Sequence, residues 1–195
     1  MGLINSKSSV SEAVAVIDSG KIKGNVVFKQ KDEHVSIKID VKGLSKNHLH
    51  GFHIHESGDL REGCKSCCAH YNPDEKEHGG LDNGHKGDLG NIKTDEDGNC
   101  SMTIRTDKFI VDEILGRSII IHQDEDDCGL GQFEDSKTTG HSGARIACSV
   151  IGISKDGVCK WQLLKNINKI EFYLLCILLY IILYILDYII EYILN

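Results

Sequence analysis

The stretch Val35-Ser-Ile-Lys-Ile-Asp-Val41 alternates apolar and polar side chains without a break. Successive side chains of a β-strand point to opposite faces, so this pattern predicts a strand with one buried and one exposed face. The same period runs less regularly from Ala13 to Val41. Shorter runs of the same kind are Phe52 to His55, Cys100 to Thr106, Arg117 to His122 and Ile146 to Ile153.

No segment before Trp161 shows a long period of 3.6 residues, and turn residues such as Asp97-Gly98-Asn99 separate the runs. We therefore predict an all-β domain, an antiparallel sandwich or barrel. Two stretches are too long to be turns, Glu56 to Gly90 and Gln123 to Gly143. Loops of that length in a compact domain are usually functional or disordered, and the histidines and acids in these two favour function.

Apolar residues are unevenly distributed along the 195-residue chain, because 22 of the 26 residues from 170 to 195 are apolar. We divide the chain into a flexible N-terminus (1–12), one globular domain (13–155), a basic linker (156–169) and a hydrophobic tail (170–195). The formal net charge is −7 and the chain has no basic run. These features argue against a general nucleic-acid binder.

Eight cysteines would suit a secreted disulfide domain if an export signal preceded them. Residues 1–9 are too few and too polar to hold the apolar part of such a signal, so we expect a reducing, cytoplasmic location with mostly free thiols. The first residues also match the acylation pattern Met-Gly-x-x-x-Ser, which makes Gly2 a candidate for myristoylation. The alternative for this segment is a disordered start.

Ten histidines are many for this length. His53-Ile54-His55 places two imidazoles on one face of a predicted strand, while Ile54 faces the core. Five further candidate ligands lie in a glycine-rich loop or at the end of an apolar strand: His70, His78, His85, Asp88 and His122. Neutral imidazoles and a carboxylate are the ligands that zinc or copper(II) takes.

Seven ordered blocks contain or flank these residues: Gly51-Phe-His-Ile-His-Glu56, His70-Tyr-Asn-Pro73, His78-Gly-Gly80, Gly87-Asp-Leu-Gly-Asn91, Gly116-Arg-Ser-Ile-Ile-Ile-His122, Asp126-Asp-Cys-Gly129 and Gly143-Ala-Arg-Ile-Ala-Cys148. The sequence resembles the copper/zinc superoxide dismutase family in these blocks. The resemblance spans about Ala13 to Ser154 and leaves the tail uncovered. It implies a Greek-key, immunoglobulin-like β sandwich and an enzyme that converts superoxide to oxygen and hydrogen peroxide by alternating reduction and reoxidation of copper.

The resemblance implies two metal sites that share one histidine, His70, as a bridge and catalytic residue. Copper would be held by His53, His55, His70 and His122. Zinc would be held by His70, His78, His85 and Asp88. Asp126 matches the carboxylate that links a copper-bound and a zinc-bound histidine, here His53 and His78. Only its position distinguishes Asp126 from Asp124 or Asp127.

Arg145 matches the family's arginine beside copper, which attracts superoxide, and is the second catalytic candidate. The family also surrounds its channel with charges that steer the anion. This sequence departs from that pattern, with acids in Gln123-Asp-Glu-Asp-Asp127 and with Lys137 displaced by one position from the usual steering lysine. We therefore expect slower association than in a typical relative.

Cys64 and Cys148 match the family's intramolecular disulfide. The residues alone would equally allow Cys67 or Cys68 as partners, and Cys64-x-x-Cys67 is also a generic zinc or redox spacing. Relatives are commonly homodimers. Ser57, however, stands where the family often has an apolar contact residue, which leaves the strength of the dimer open.

The uncharged run from Phe172 to Leu186 would measure about 22 Å as a helix, against a hydrocarbon core of about 30 Å. Extension to Leu194 reaches a spanning length but includes Asp187 and Glu191. We expect a C-terminal hydrophobic helix that anchors the enzyme to a membrane. The alternatives are an oligomerising helix or an accidental extension of the gene.

The rival function is a catalytically silent homologue that binds metal or sequesters a copper chaperone. The absence of a copper histidine or of Arg145 would favour that hypothesis, but the sequence has all four copper histidines and Arg145.

Overall fold

The computed structural model describes residues 10–157, 170, 171, 173, 174 and 177–182. Residues 10–157 contain two antiparallel sheets. The strands are β1 (Glu12–Ser19), β2 (Ile22–Gln30), β3 (Val35–Lys42), β4 (Leu49–His55), β5 (Arg61–Cys64), β6 (Asp88–Lys93), β7 (Cys100–Thr106), β8 (Ser118–His122), β9 (Arg145–Val150) and β10 (Gly152–Ile153). Two short helices, α1 (Val111–Ile114) and α2 (Ser136–Thr139), and a 3-10 turn (Lys65–Cys67) lie in the connections.

The first sheet has the strand order β10-β1-β2-β3-β7. Its strand β3 shows the predicted alternation, because Val35, Ile37, Ile39 and Val41 are fully buried while Lys38 and Asp40 are exposed. β1 and β2 form a hairpin whose two-residue turn begins at Gly20, with φ at +61°. Glycine reaches positive φ without steric cost, which suits such a turn.

The second sheet has the strand order β6-β4-β8-β9, and the chain passes between the sheets after β3, β6, β7 and β9. The two sheets enclose one core, which confirms the predicted β sandwich. The predicted run from Ile146 to Ile153 proves to be two strands in different sheets. The chain crosses from β9 to β10 at Ile151, which is buried in the core.

The predicted first loop ends earlier than expected, because β6 begins at Asp88. β6 pairs with β4 through Gly51↔Asn91 and His53↔Asp88, so β6 carries one extra residue between these pairs. Gly90 lies in this bulge with φ at +75°. The bulge interrupts the two-residue period, which explains why the alternation did not reveal this strand.

The second sheet has an inner and an outer face, and the outer face is where the loops pack. Phe52, Ile54 and Ile121 belong to the core cluster between the sheets. Ile120 is equally buried but lies outside that cluster, and it pairs with His53 on β4 and with Cys148 on β9. His53 and Cys148 therefore share the outer face, beneath the two long loops.

Described residues of the hydrophobic tail are helical, and their large apolar side chains are exposed. Across the described part of the chain, no helix has both the length and the apolar character needed to cross a membrane. The predicted lipidation site Gly2, most of the predicted linker and the acids Asp187 and Glu191 lie outside the described residues.

Candidate metal centre

Two neighbouring strands, β4 and β8, place three histidines on the outer face of the second sheet. His53 and His55 lie two residues apart on β4, as the sequence predicts, and both are fully buried. His122 ends β8 and is 3% exposed. Charged or polar groups are rarely buried this deeply without partners, so these rings require specific neighbours.

The first loop brings the remaining candidate ligands over the same face. His70 forms an isolated antiparallel β-bridge with His55. The next residue, Tyr71, donates its backbone N–H to the Ile54 carbonyl at 2.8 Å. The Ile54 N–H in turn donates to the Gly87 carbonyl at 2.8 Å. A β-carbon at Gly87 would collide with the Ile54 carbonyl, so this close approach requires glycine.

Two sets of four donor atoms result, and in each set the atoms lie within 4.8 Å of one another. One set consists of His53, His55, His70 and His122, and the other of His70, His78, His85 and Asp88. His70 belongs to both, and its ring centroid lies 4.1 Å from that of His53. The structure therefore brings together all seven residues that were predicted from the sequence as metal ligands.

Hydrogen bonds select which nitrogen of each ring is free in the first set. His55 Nδ1 lies 3.0 Å from the Cys68 carbonyl, and His122 Nδ1 lies 3.2 Å from the Gly143 carbonyl. A carbonyl accepts only from an N–H, so each of these rings keeps its lone pair on Nε2. The His53 ring has the opposite arrangement. Its Nε2 lies 2.7 Å from the Asp126 carboxylate, so Nδ1 is the nitrogen that is left free.

The opposite nitrogens converge without protein partners. His53 Nδ1, His55 Nε2, His70 Nε2 and His122 Nε2 are buried and make no hydrogen bond, whereas Nδ1 of His78 and of His85 lies 2.9 Å and 3.3 Å from the Asp88 carboxylate. Leaving such a group unpaired costs about 1–3 kcal/mol. Lone pairs aimed at a common point fit a metal ion, and the donors suit copper in the first set and zinc in the second.

Burial keeps the rings of the first set neutral, which is the form that binds a metal. Burial and the nearby His70 ring lower the pKa of His53 to about 3 and that of His55 to about 2. Burial also lowers the pKa of His122 to about 4. Protons therefore do not compete for these three nitrogens at neutral pH.

Asp88 is the carboxylate of the second set. It contacts His70 Nδ1 at 2.8 Å and His78 Nδ1 at 2.9 Å, and it accepts the His85 backbone N–H at 2.8 Å. Burial alone would raise the pKa of Asp88, but the hydrogen bonds from the three imidazoles hold it well below its usual range. The carboxylate is therefore ionised at neutral pH.

Asp126 joins the two sets. Its carboxylate lies 2.7 Å from His53 Nε2 and 2.8 Å from His78 Nε2, and the residue is 2% exposed. Burial opposes protonation of His78, but its hydrogen bonds with Asp126 and Asp88 outweigh burial and raise the pKa of His78 to about 9. Asp124 is exposed, and Asp127 instead accepts the Ser136 hydroxyl at 2.6 Å. Burial thus separates Asp126 from neighbours that the sequence could not distinguish from it.

A comparison with known proteins agrees with this geometry. A family model described as copper/zinc superoxide dismutase (SODC) matches residues 22–151. A Cu-Zn superoxide dismutase of Paramecium bursaria Chlorella virus 1 is 44% identical over 152 residues, which cover 75% of this chain and 81% of that protein. An extracellular Cu-Zn superoxide dismutase of Drosophila melanogaster is 49% identical over 144 residues, covering 70% and 78% respectively. The chain belongs to the copper/zinc superoxide dismutase family.

A solved structure supports the same relationship. The crystal structure of the clock protein EA4 matches with a TM-score of 0.73 and 38% identity, covering 76% of this chain and 98% of that chain. Family membership establishes the enzyme class, superoxide dismutase, and the two cofactors, copper and zinc. It also agrees with the fold class predicted from the sequence.

Arg145 begins β9 directly opposite His122. Its guanidinium donates to the Cys64 carbonyl at 2.9 Å and to the Cys68 carbonyl at 2.7 Å. The side chain is half-buried, and its charge contributes to the lowered pKa values of His55 and His122. The two carbonyls thus hold a permanent positive charge next to the first set of histidines.

A disulfide joins Cys64 to Cys148, with the two Cα atoms 5.6 Å apart, as the family resemblance implied. It ties the first loop to β9 on the outer face, and such a crosslink typically stabilises a fold by about 2–4 kcal/mol. Cys67 is a buried free thiol and Cys68 an exposed one. The alternative pairings left open by the residues alone are therefore not the ones adopted.

The backbone partners of this site were not predicted, because the sequence does not show which carbonyl will accept a bond. Cys68 and Gly143 orient His55 and His122 through their main chains. Asn91 holds the second loop by accepting the Asp126 N–H and donating to the Asp126 carbonyl, both at 2.8 Å. Asn91 falls inside one of the family-like blocks, which was the only signal for it.

Cys68 has an unusual backbone, with φ at 63° and ψ at −151°. Residues other than glycine adopt this region at a cost of about 1–3 kcal/mol. Cys68→Gly should therefore raise the free energy of unfolding by about 1 kcal/mol, after allowance for the greater entropy of glycine in the unfolded chain. Urea unfolding measures the change. Cys68→Ala keeps the β-carbon and should show no gain, whereas equal effects of the two variants would contradict the strain.

Proposed function

We propose that the chain dismutates superoxide with copper bound by His53, His55, His70 and His122, and zinc bound by His70, His78, His85 and Asp88. The observation that carries the proposal is the convergence of four buried ring nitrogens without protein partners in the first set. The second set shares His70 with the first, and its imidazoles surround the Asp88 carboxylate. When bound, copper supplies one-electron redox chemistry, by which two superoxide anions and two protons become oxygen and hydrogen peroxide.

Arg145 and His70 are the proposed catalytic residues. The Arg145 guanidinium remains charged at any working pH, and its bonds to two carbonyls fix it where an anion approaching His122 would meet it. His70 offers Nε2 to the first set while its Nδ1 faces Asp88. One ring can therefore couple the two metals.

The charges around this site support the expectation of slow association. The Lys137 ammonium pairs with Glu77, with Nζ and Oε2 3.1 Å apart, so its field is partly neutralised. Asp124 and Glu125 are exposed beside the site. An anion such as superoxide is repelled by uncompensated surface acids, and Arg145 acts against this background.

The silent homologue remains the competing function, and the donor sets argue against it. A protein that only binds zinc or a copper chaperone has no need of a complete first set or of a fixed arginine beside it. We favour the enzyme because both are present.

We propose a homodimer, as is common among relatives, with a copper chaperone as a transient partner. The exposed apolar side chains Val150 and Ile153, at 38% and 50%, would contribute to an apolar contact. The Ser57 main-chain carbonyl accepts the Ser118 hydroxyl at 2.7 Å and the Ser57 hydroxyl accepts the Asp59 N–H at 3.0 Å, so both groups bond within the chain.

We propose a cytoplasmic location with membrane association through the tail. Among the described cysteines, Cys67, Cys68, Cys100 and Cys128 are free thiols, which suits a reducing compartment. In residues 177–182 the described tail helix exposes consecutive large apolar side chains. Such a surface is stabilised when lipid or another apolar surface covers it.

The direct test of the function is metal analysis with a superoxide assay on the purified full chain. We expect one copper and one zinc per chain, with dismutase activity that is lost when a chelator removes the metals. Zinc alone, with no activity after copper loading, would support the silent homologue instead.

Asp126→Asn should weaken copper binding by about 10- to 100-fold, because an amide cannot accept an N–H from both His53 and His78. Competition with a copper chelator measures the affinity. Glu125→Gln changes the charge equally at an exposed neighbour and should bind copper like the wild type. Equal affinities for the two variants would show that Asp126 does not orient the ligands.

Arg145→Ala should lower kcat/KM for superoxide by about 10- to 100-fold, because it removes the fixed charge that attracts the anion. The dependence of the rate on ionic strength should change with it. Arg61→Ala removes an exposed arginine paired with Asp59 and serves as the control. If both variants keep the wild-type rate in the fully metallated protein, Arg145 does not guide superoxide.

Carbonate extraction of expressing cells should leave the full-length chain in the membrane pellet and release a chain that stops after Lys160. The apolar tail is the physical reason, because carbonate does not extract helices held by lipid. Recovery of all full-length protein in the soluble or secreted fraction would contradict the anchor.

A further inference from the structure

Lys108 lies outside both donor sets, yet its ammonium contacts the backbone of two proposed zinc ligands. Nζ donates to the His85 carbonyl at 2.6 Å and to the Asp88 carbonyl at 2.7 Å. We propose that Lys108 is a positioning residue that holds the His85–Asp88 turn in the geometry that binds zinc. The inference rests on the proposed zinc site and adds a residue that binds no metal itself.

The turn is built around the ligands that it presents. The Asp88 N–H donates to the His85 carbonyl at 3.1 Å, and the Asp88 carboxylate accepts the His85 N–H at 2.8 Å. His85 Nδ1 is buried, and the protein group that it faces is the Asp88 carboxylate of the same turn, 3.3 Å away. The position of this nitrogen therefore depends on the backbone of its own turn. The two hydrogen bonds from the Lys108 ammonium, to the carbonyls of His85 and Asp88, form a clamp that holds this turn at both ends.

The other ligands of the second set have independent supports. His70 adjoins the pairing of Tyr71 with Ile54 of β4. His78 is held by Asp126 through its ring and donates its backbone N–H to the Lys137 carbonyl at 2.9 Å. The His85–Asp88 turn is the part of the site that gains most from an external clamp.

The clamp comes from the opposite sheet. Lys108 follows β7, the edge strand of the first sheet, whereas Asp88 begins β6, an edge strand of the second sheet. The side chain therefore fixes the end of the first loop to the body of the sandwich. Burial lowers the pKa of Lys108, and within residues 10–157 no salt bridge involves its ammonium. The half-buried ammonium makes charge-assisted hydrogen bonds to the two carbonyls, which are stronger than neutral ones.

Lys86 provides a matched control within the same turn. It lies between His85 and Gly87, but its ammonium pairs with the Glu113 carboxylate at 2.9 Å rather than with backbone carbonyls. Lys86→Met and Lys108→Met thus remove the same charge and the same donor group. Only the second removes the clamp.

The experiment measures zinc affinity of the metal-free full chain by chelator competition. Lys108→Met should weaken zinc binding by about 10- to 100-fold, as losses of supporting groups around metal ligands typically do. Lys86→Met should stay within about threefold of the wild type, since its partly exposed pair contributes little. Lys108→Arg can donate to both carbonyls and should restore most of the affinity.

Cobalt(II) bound in place of zinc gives a readout that a general loss of stability would not change. Its visible absorption bands should shift in position and intensity in Lys108→Met and match the wild type in Lys86→Met and Lys108→Arg. Far-UV circular dichroism confirms that each variant is folded. If Lys108→Met does not fold, Lys108→Gln provides the same comparison with one neutral donor group.

The outcomes separate this inference from the proposed function. A wild-type chain that binds no zinc overturns the proposed zinc site and the clamp together. A wild-type chain that binds zinc, with equal affinity and equal cobalt spectra in Lys108→Met and Lys86→Met, overturns only the role of Lys108.

Discussion

Four imidazole nitrogens of the first set, buried without a protein partner, impose the constraint on which this molecule is organised. Each costs about 1–3 kcal/mol while nothing is bound to it, so a bound metal ion would stabilise the arrangement. Hydrogen bonds elsewhere on the rings decide which nitrogen is left free. The tautomers of His53, His55 and His122 are thus set by Asp126, the Cys68 carbonyl and the Gly143 carbonyl respectively.

The sandwich supplies a rigid platform, and the loops complete the site on its outer face. The disulfide fixes one part of the first loop to β9, and the contact of Gly87 with Ile54 fixes another part to β4. Arg145 is held by the carbonyls of Cys64 and Cys68, so the same loop segment positions the arginine and one candidate copper ligand. The contacts that fix the first loop therefore also fix the positions of the Arg145 charge and of His55.

Much of this could be predicted from the sequence, for identifiable reasons. β3 alternates perfectly because one face lies in the core, and His53-Ile54-His55 reveals its two faces by composition alone. The sequence pattern did not reveal β6, because the bulge at Gly90 interrupts its two-residue period. It predicted β9 and β10 as a single run, because Ile151, at which the chain crosses between the sheets, is itself apolar. The roles of Cys68, Asn91 and Lys108 depend on contacts between distant segments, and no local pattern encodes these contacts.

The central claim is that two metals share one histidine. Anomalous diffraction at the copper and zinc absorption edges, from crystals of the fully metallated chain, tests it most directly. The account predicts copper among His53, His55, His70 and His122, and zinc among His70, His78, His85 and Asp88, with His70 contacting both ions. A single ion, or two ions that do not share His70, would contradict it.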